Sequence, residues 1–408
     1  MLMEKKKNSL KMQTPENLQT LQKQKPIQDQ FAQITTSRKI SLPEKQSSQQ
    51  KIKQFNPKNP FLTKPIETIE VNDKSVSELL KSMAGTGFQG RKLGEVADTW
   101  EEMINDKNLT IVMGYAGSLS TTGQWKIIKW LIENRYVDVL VSTGANISED
   151  LVEGLGYKYY QGSHTENDGV LLKNNVNRYY DIYGEDKEYM DMIDLIAEFI
   201  TSGCKEGYNY STMEFLRDLG LWLNKKKIAS IIGAAAKAKV PVFSPALVDS
   251  GYGDAALIAK GKGFNFVLDS VKDYTDFMGL AKKVKDIGVI YVGGGVPKDF
   301  IQLLAVSSVL EHKDRKIPNR PGAVYRPATK EYFYPHRYAI QITTDSPQWG
   351  GLSGCTFEEA SSWGKEVVGG KNVACYCDAT IALPIVSHAL KERIKTKRNG
   401  TDFSHLFK

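Results

Sequence analysis

The stretch EEASSWGKEVV, residues 358–368, sets Lys365 beside Trp363 and Gly364, with Glu358 and Glu359 up to two turns before it. A lysine held away from water loses its proton more readily, and the neutral amine forms imines. Read as an amphipathic helix, positions 358, 361, 362 and 365 share a face, which puts Glu358, Ser361 or Ser362 near the Lys365 ammonium. Trp363 offers an apolar wall or a cation–π face. A glycine inside a helix costs about 1 kcal/mol relative to alanine, so Gly364 is expected to offset that cost by letting a partner approach the backbone. A solvated surface lysine is the plainer account of such a residue. What sets this one apart is the company of a ring, a glycine and acids.

Other chemistry-bearing residues sit at the ends of apolar runs. GGGVPKD, 293–299, offers glycines for close ligand approach and a helix N-terminus whose free N–H groups suit an anion such as pyrophosphate. DSGYGD carries Asp249 and Asp254 around glycines; either it starts a helix with Asp254 in its first turn, or its acids hold a ribose and a cationic substrate. No GxGxxG follows an apolar strand run, GTGFQG (85–90) having the spacing but lying before the first run, and the P-loop, the GxSxG elbow and the HExxH array are missing from the sequence. Cys375 and Cys377 alternate onto one face of a strand, with no second pair at zinc-ligand spacing, so no metal site is expected.

The scaffold that positions these residues is legible in alternating patterns. Short apolar runs at 109–116, 137–146, 240–249, 264–270, 287–295, 338–345 and 373–380 are mostly followed by amphipathic stretches such as QWKIIKWLIENR or the Ala-rich 226–239. Val/Ile-rich runs alternating with helices predict an α/β fold with a mainly parallel sheet buried on both faces, and ligands in such sheets collect at the carboxyl ends of the strands. The formal charge of +7 is uneven. Residues 1–60 hold twelve Lys/Arg against four Asp/Glu, leaving 7 − 8 = −1 for the rest, so the body carries no electrostatic footprint for nucleic acid. With eleven glutamines and no sustained apolar period, 1–60 is expected to be a disordered tail, with a short helix near 16–31 as an option, and 61–408 the globular domain. Four cysteines, no signal-peptide core and no apolar run of eighteen residues predict a cytoplasmic protein without a membrane span.

Taken in order, GTGFQGRKLGE (85–95), MGYAGSLSTTG, VDVLVSTGANISEDL, PVFSPALVDSGYGD, VGGGVPKDF, EEASSWGKEVV and CDATIALP resemble the deoxyhypusine synthase family over about three hundred residues. The resemblance implies a Rossmann-like NAD-binding domain, a homotetramer with sites shared between subunits, and NAD-dependent aminobutyl transfer. In that chemistry NAD takes hydride from spermidine, 1,3-diaminopropane leaves, and the aminobutyl group rides on a lysine imine before passing to an acceptor amine. The resemblance assigns the imine to Lys365 of SWGK. It assigns the cofactor to Gly117, Ser118, Thr121, Thr143, Gly144, Ala145, Glu149, Asp249, Gly294, Thr344, Asp378 and Ala379, and the polyamine to Asp254, Glu359 and Trp363. The acceptor is a lysine of translation initiation factor 5A, or a small amine such as putrescine, which would yield homospermidine; a non-catalytic regulatory paralogue is the other class of reading. Three departures stand out. Asp299 occupies the place of a family histidine expected to carry protons, WGGLSG (349–354) sets Trp349 and Leu352 where acids are usual, and 311–337 reads as an insertion. They mark a divergent, deoxyhypusine synthase-like branch.

Overall fold

In a computed structural model, which describes residues 61–407, six of the seven apolar runs meet in one sheet. Numbered in chain order, its strands are β1 (Leu109–Tyr115), β2 (Val139–Ser142), β3 (Val242–Phe243), β4 (Asp286–Val292), β5 (His336–Thr343) and β6 (Glu366–Tyr376). Their spatial order is β6-β5-β4-β1-β2-β3, and every neighbouring pair is parallel. The chain thus builds outward from β1 in one direction, then returns and builds outward in the other. This is the doubly wound, Rossmann-like order, and its switch point lies between β1 and β4, where Val112 pairs with Val289.

All seven residues of β1 are buried, because helices cover both faces. Ile111, Met113 and Tyr115 enter one core cluster with Trp100, Ile128 and Leu383 of the helices Phe88–Asn105, Trp125–Glu133 and Ala379–Arg393. Val112 points to the other cluster, with Phe277, Ile301 and Leu304. Burying one such aliphatic side chain contributes about 1.5–3 kcal/mol, so a one-residue slip of β1 is strongly disfavoured. Residues Lys64–Lys408 form one compact unit. The expectations of a disordered tail over 1–60 and of a helix near 16–31 lie outside the described residues. Among the described residues, no helix is long and apolar enough to cross a membrane.

Some elements differ from the pattern read in the sequence. The run at 264–270 supplies only Val267–Leu268, which pairs with Asn209–Tyr210 in a separate small sheet. The run at 240–249 yields two strand residues before Pro245 and the turn that leads to the helix Gly251–Gly261. The last strand starts at Glu366 rather than 373 and ends at Tyr376, so Cys377 lies just past it. The 311–337 segment, read in the sequence as an insertion, contains a short antiparallel hairpin, Val324–Arg326 with Glu331–Phe333.

The largest correction concerns the opening motif. Phe357–Ser362 is a helix of six residues, capped by the Thr356 side chain, and Trp363 already stands at its C-terminal cap. Gly364 adopts φ +82°, and Lys365 lies in the turn into β6 rather than in a helix. A short apolar run cannot say where helix passes to strand; the left-handed residue does.

Candidate active site

At the switch point the carboxyl ends of β1, β4 and β5 open a cleft of about 610 Å³. Gly117, Ser118 and Thr121 line it after β1, Gly293–Gly295 after β4, Thr344 and Asp345 after β5, and Asp378 and Ala379 after β6. Gly295 sits at φ +61° with open space where a Cβ would be, and it begins the twelve-residue helix Gly295–Val306. Unpaired N–H groups of that helix start suit an anionic ligand. Gln341 braces the approach, donating to the carbonyls of Gly293 at 3.0 Å and Ser353 at 2.8 Å. The opposite wall comes from Tyr179–Ile182, the tip of a hairpin that sequence reasoning did not connect to the site, although its aromatic run NRYYDIYGE was a signal.

Ser118 links this cleft to a buried acid. Its hydroxyl donates to Glu149 Oε2 at 3.0 Å. Burial pushes the Glu149 carboxyl up to about 7, only partly opposed by that hydrogen bond. The adjacent Asp150 is also raised to about 7 by burial, although its carboxylate accepts from the Ile231 N–H. Thr143, Gly144 and Ala145 form the turn after β2 behind Ser118, with Gly144 pressed against Ser250 and Leu247. They do not line the 610 Å³ cleft, and neither does Asp249. Asp249 is exposed on the loop before the Gly251–Gly261 helix.

Lys365 is positioned by three elements. Its N–H bonds to Ala360 of the short helix at 3.0 Å, and its carbonyl accepts from His336 of β5 at 2.9 Å. Two residues earlier, the Trp363 carbonyl accepts from Arg326 Nη2 of the hairpin Val324–Arg326/Glu331–Phe333 at 2.7 Å. Gly364 has no room for a side chain: an added Cβ would stand 2.7 Å from the Phe333 ring. It therefore serves the turn and the packing of this chain's own hairpin, rather than the approach of a partner. The side chain, 13% exposed, reaches across to the helix Gly295–Val306, its ammonium 3.0 Å from Asp299 Oδ1 and 3.3 Å from Gln302 Oε1. The polar neighbours expected from helical spacing, Glu358, Ser361 and Ser362, are replaced by residues more than sixty positions away. Trp363 is exposed, and its ring centre lies 5.9 Å from the ammonium, near the limit for a cation–π contact.

A second lysine, on the helix Gly295–Val306 that carries Asp299, was missed as a site residue. Lys298 is fully buried, with Nζ 2.9 Å from Gln341 Oε1 and 2.6 Å from the Cys355 carbonyl. Burial lowers its basicity. It ties the helix to β5 and to the turn after Leu352, and so holds Asp299 at the right height for Lys365. Glu359 is exposed beside Cys355, whose thiol is pushed up mainly by burial. Asp254, by contrast, does not line the cleft but two other grooves with Leu257, one of which adjoins the cleft at Tyr179. Among the described residues, no group of three or more His, Cys, Asp or Glu could hold a metal ion.

Strand order and cleft together define a Rossmann-like α/β enzyme with a lysine–carboxylate pair one helix turn from the glycine-rich loop. The profile of the family described as Deoxyhypusine synthase matches residues 78–390. "Probable deoxyhypusine synthase 2" of Methanosarcina mazei is 42% identical over 349 residues, covering 85% of this chain and 95% of that protein. The protein of the same name from Archaeoglobus fulgidus is 45% identical over 310 residues, covering 76% and 95%. A crystal structure of a candidate deoxyhypusine synthase from Entamoeba histolytica superposes with a TM-score of 0.53 at 18% identity, over 81% of this chain and 98% of that one, a likeness of fold alone. The chain belongs to the deoxyhypusine synthase family, a family of aminobutyl-transferring enzymes.

Proposed function

We propose that this protein transfers an aminobutyl group from spermidine, or a closely related polyamine, through an imine on Lys365 to an acceptor amine, in the deoxyhypusine synthase manner. The observation that carries the reading is the Lys365–Asp299 pair, 3.0 Å apart and set one helix turn from a glycine-lined cleft. The cleft fits a dinucleotide in size and in the open backbone at Gly117 and Gly295. Gly117, Ser118, Thr121, Gly294, Thr344, Asp378 and Ala379 would hold NAD there, with Glu149 behind Ser118 and with Thr143, Gly144, Ala145 and Asp249 shaping the neighbouring turns. Bound there, NAD would supply hydride-acceptor chemistry for the donor amine and, once reduced, a hydride source for the product imine.

The chain's own residues do the rest. Asp299 takes the proton from the Lys365 ammonium, and the free amine attacks the imine carbon of the oxidised donor. The C–N bond to the leaving amine breaks, 1,3-diaminopropane departs with a proton, and the butyl carbon remains bonded to Lys365 Nζ. Attack by the acceptor amine then releases Lys365. Trp363 stands beside the lysine as an apolar wall for the methylene chain, and Glu359, in the first turn of the short helix before it, is an acid for a distal ammonium. Asp254, outside the cleft, would serve the polyamine site of a neighbouring copy in a homotetramer.

The acceptor is read as a lysine of translation initiation factor 5A. Trp349, 76% exposed, and Leu352 favour a second reading, a small amine such as putrescine, because they put bulk rather than charge on the loop that reaches Gly294 through Ser353. Protein, NAD and spermidine labelled in its butyl half, offered both acceptors, test the reading. Label on the factor supports the first acceptor, label in a larger polyamine the second, and no release of 1,3-diaminopropane overturns both.

A further inference from the structure

Beneath Lys365 lies a chain of buried polar groups that the reaction above does not use. Gln302 is fully buried; its carbonyl oxygen faces the Lys365 ammonium at 3.3 Å, while its Nε2 donates to Glu366 Oε1 at 3.2 Å. Glu366, also buried, faces the buried ring of His336, with Nδ1 at 3.7 Å from the same carboxylate oxygen. The two residues are partners in the register of β5 and β6. Among the described residues, Glu366 Oε2, both His336 ring nitrogens and the nearby Tyr291 hydroxyl have no hydrogen-bond partner. Burying such polar groups is costly, so the cluster is not explained by stability.

The direction of the Gln302 amide gives the explanation. An ammonium only donates and a carboxylate only accepts, so one orientation alone satisfies both neighbours: NH₂ inward to Glu366, carbonyl outward to Lys365. With a neutral, two-way partner in place of Glu366, the amide can turn its NH₂ group towards the ammonium and push it off. We infer that Glu366 is a positioning residue for the transfer reaction, acting through Gln302 to aim the Lys365 amine at the cleft. The inference rests on the reading of Lys365 as the imine-forming amine. The other ionisable groups around this chain are Lys298 and Asp299 on the helix, Tyr291 on β4, Cys355 and Glu359 before and in the short helix, and His336 on β5.

The test is a double-variant cycle on the full chain, Glu366→Gln, Gln302→Met and both together. Two readouts are used: single-turnover formation of a borohydride-trapped Lys365 adduct with NAD and spermidine, and acetylation of Lys365 by acetic anhydride, followed by mass spectrometry. Each single change should slow adduct formation about tenfold, the worth of one hydrogen bond to a charged group. The pair together should be no slower than either alone, because both act through one amide. KM for spermidine and the affinity for NAD should stay within about twofold. Acetylation should speed up in all three, since that reagent needs a free amine but not its placement. Multiplying losses of about a hundredfold in the double variant, or unchanged acetylation, would overturn the inference, as would a loss of adduct that merely follows the melting temperature. If the parent protein forms no adduct, the functional reading falls, and acetylation of Lys365 still decides whether Glu366 acts on it through Gln302.

Discussion

Replacing Glu149 by glutamine should stabilise the protein at alkaline pH and leave it nearly unchanged in acid. Burial raises this carboxyl from 4.5 to about 7, so between those values the folded protein binds a proton that the unfolded chain releases. The stability linked to that proton is complete below about pH 4.5, declines as the pH rises, and is lost above about 7. A gap of about 2.5 pH units at 1.36 kcal/mol each amounts to about 3 kcal/mol. Glutamine keeps the shape and still accepts the Ser118 hydroxyl, but it never ionises. Urea unfolding of parent and Glu149→Gln at pH 4 and pH 8 should therefore differ little at the first and by about 3 kcal/mol, in favour of the variant, at the second. Asp150 lies next to it and is raised partly by the Glu149 charge, so the variant also eases ionisation there, in the same direction. A stability difference that is the same at both pH values would refute the argument that desolvation governs this acid.

Lys365→Ala should abolish both 1,3-diaminopropane release and the borohydride-trapped adduct while leaving NAD affinity within about threefold, since its side chain does not line the cleft. Asp299→Asn should lower the rate of transfer at least tenfold by removing a charged hydrogen bond and the proton acceptor, and a rate within twofold of the parent in a steady-state assay would argue against that role. Gly364→Ala should cost roughly 1–3 kcal/mol by thermal or urea unfolding, because the residue adopts φ +82° and a Cβ there meets Phe333; an unchanged melting temperature would mean that the turn can relax.

Much of the scaffold was legible in the sequence, because a strand buried on both faces must be a continuous apolar run. LTIVMGYA and IGVIYVGGG can hardly be anything else, and glycines at their ends locate the cleft in advance. The weaker runs fared differently for the same reason. FNFVLDS has the composition of a strand but only a two-residue partner, and it was the position of Asn209–Tyr210, not its own pattern, that drew it out of the main sheet. Local spacing misjudged the surroundings of Lys365, since it presumed a helix where Gly364 makes a turn.

What the sequence determined by itself was the parallel α/β scaffold, the glycine-rich strand ends and the presence of a lysine in unusual company. Tertiary structure alone decided which groups keep that lysine company. Asp299 and Gln302 arrive from a helix more than sixty residues earlier, and the hairpin of the 311–337 segment fastens the backbone on the other side. Helical and strand periodicities report which residues share a face of one element. The meeting of two elements depends on strand order and register, and here the placing of β4 beside β5, and of β5 beside β6, brings Gln302, Glu366 and His336 under one amine.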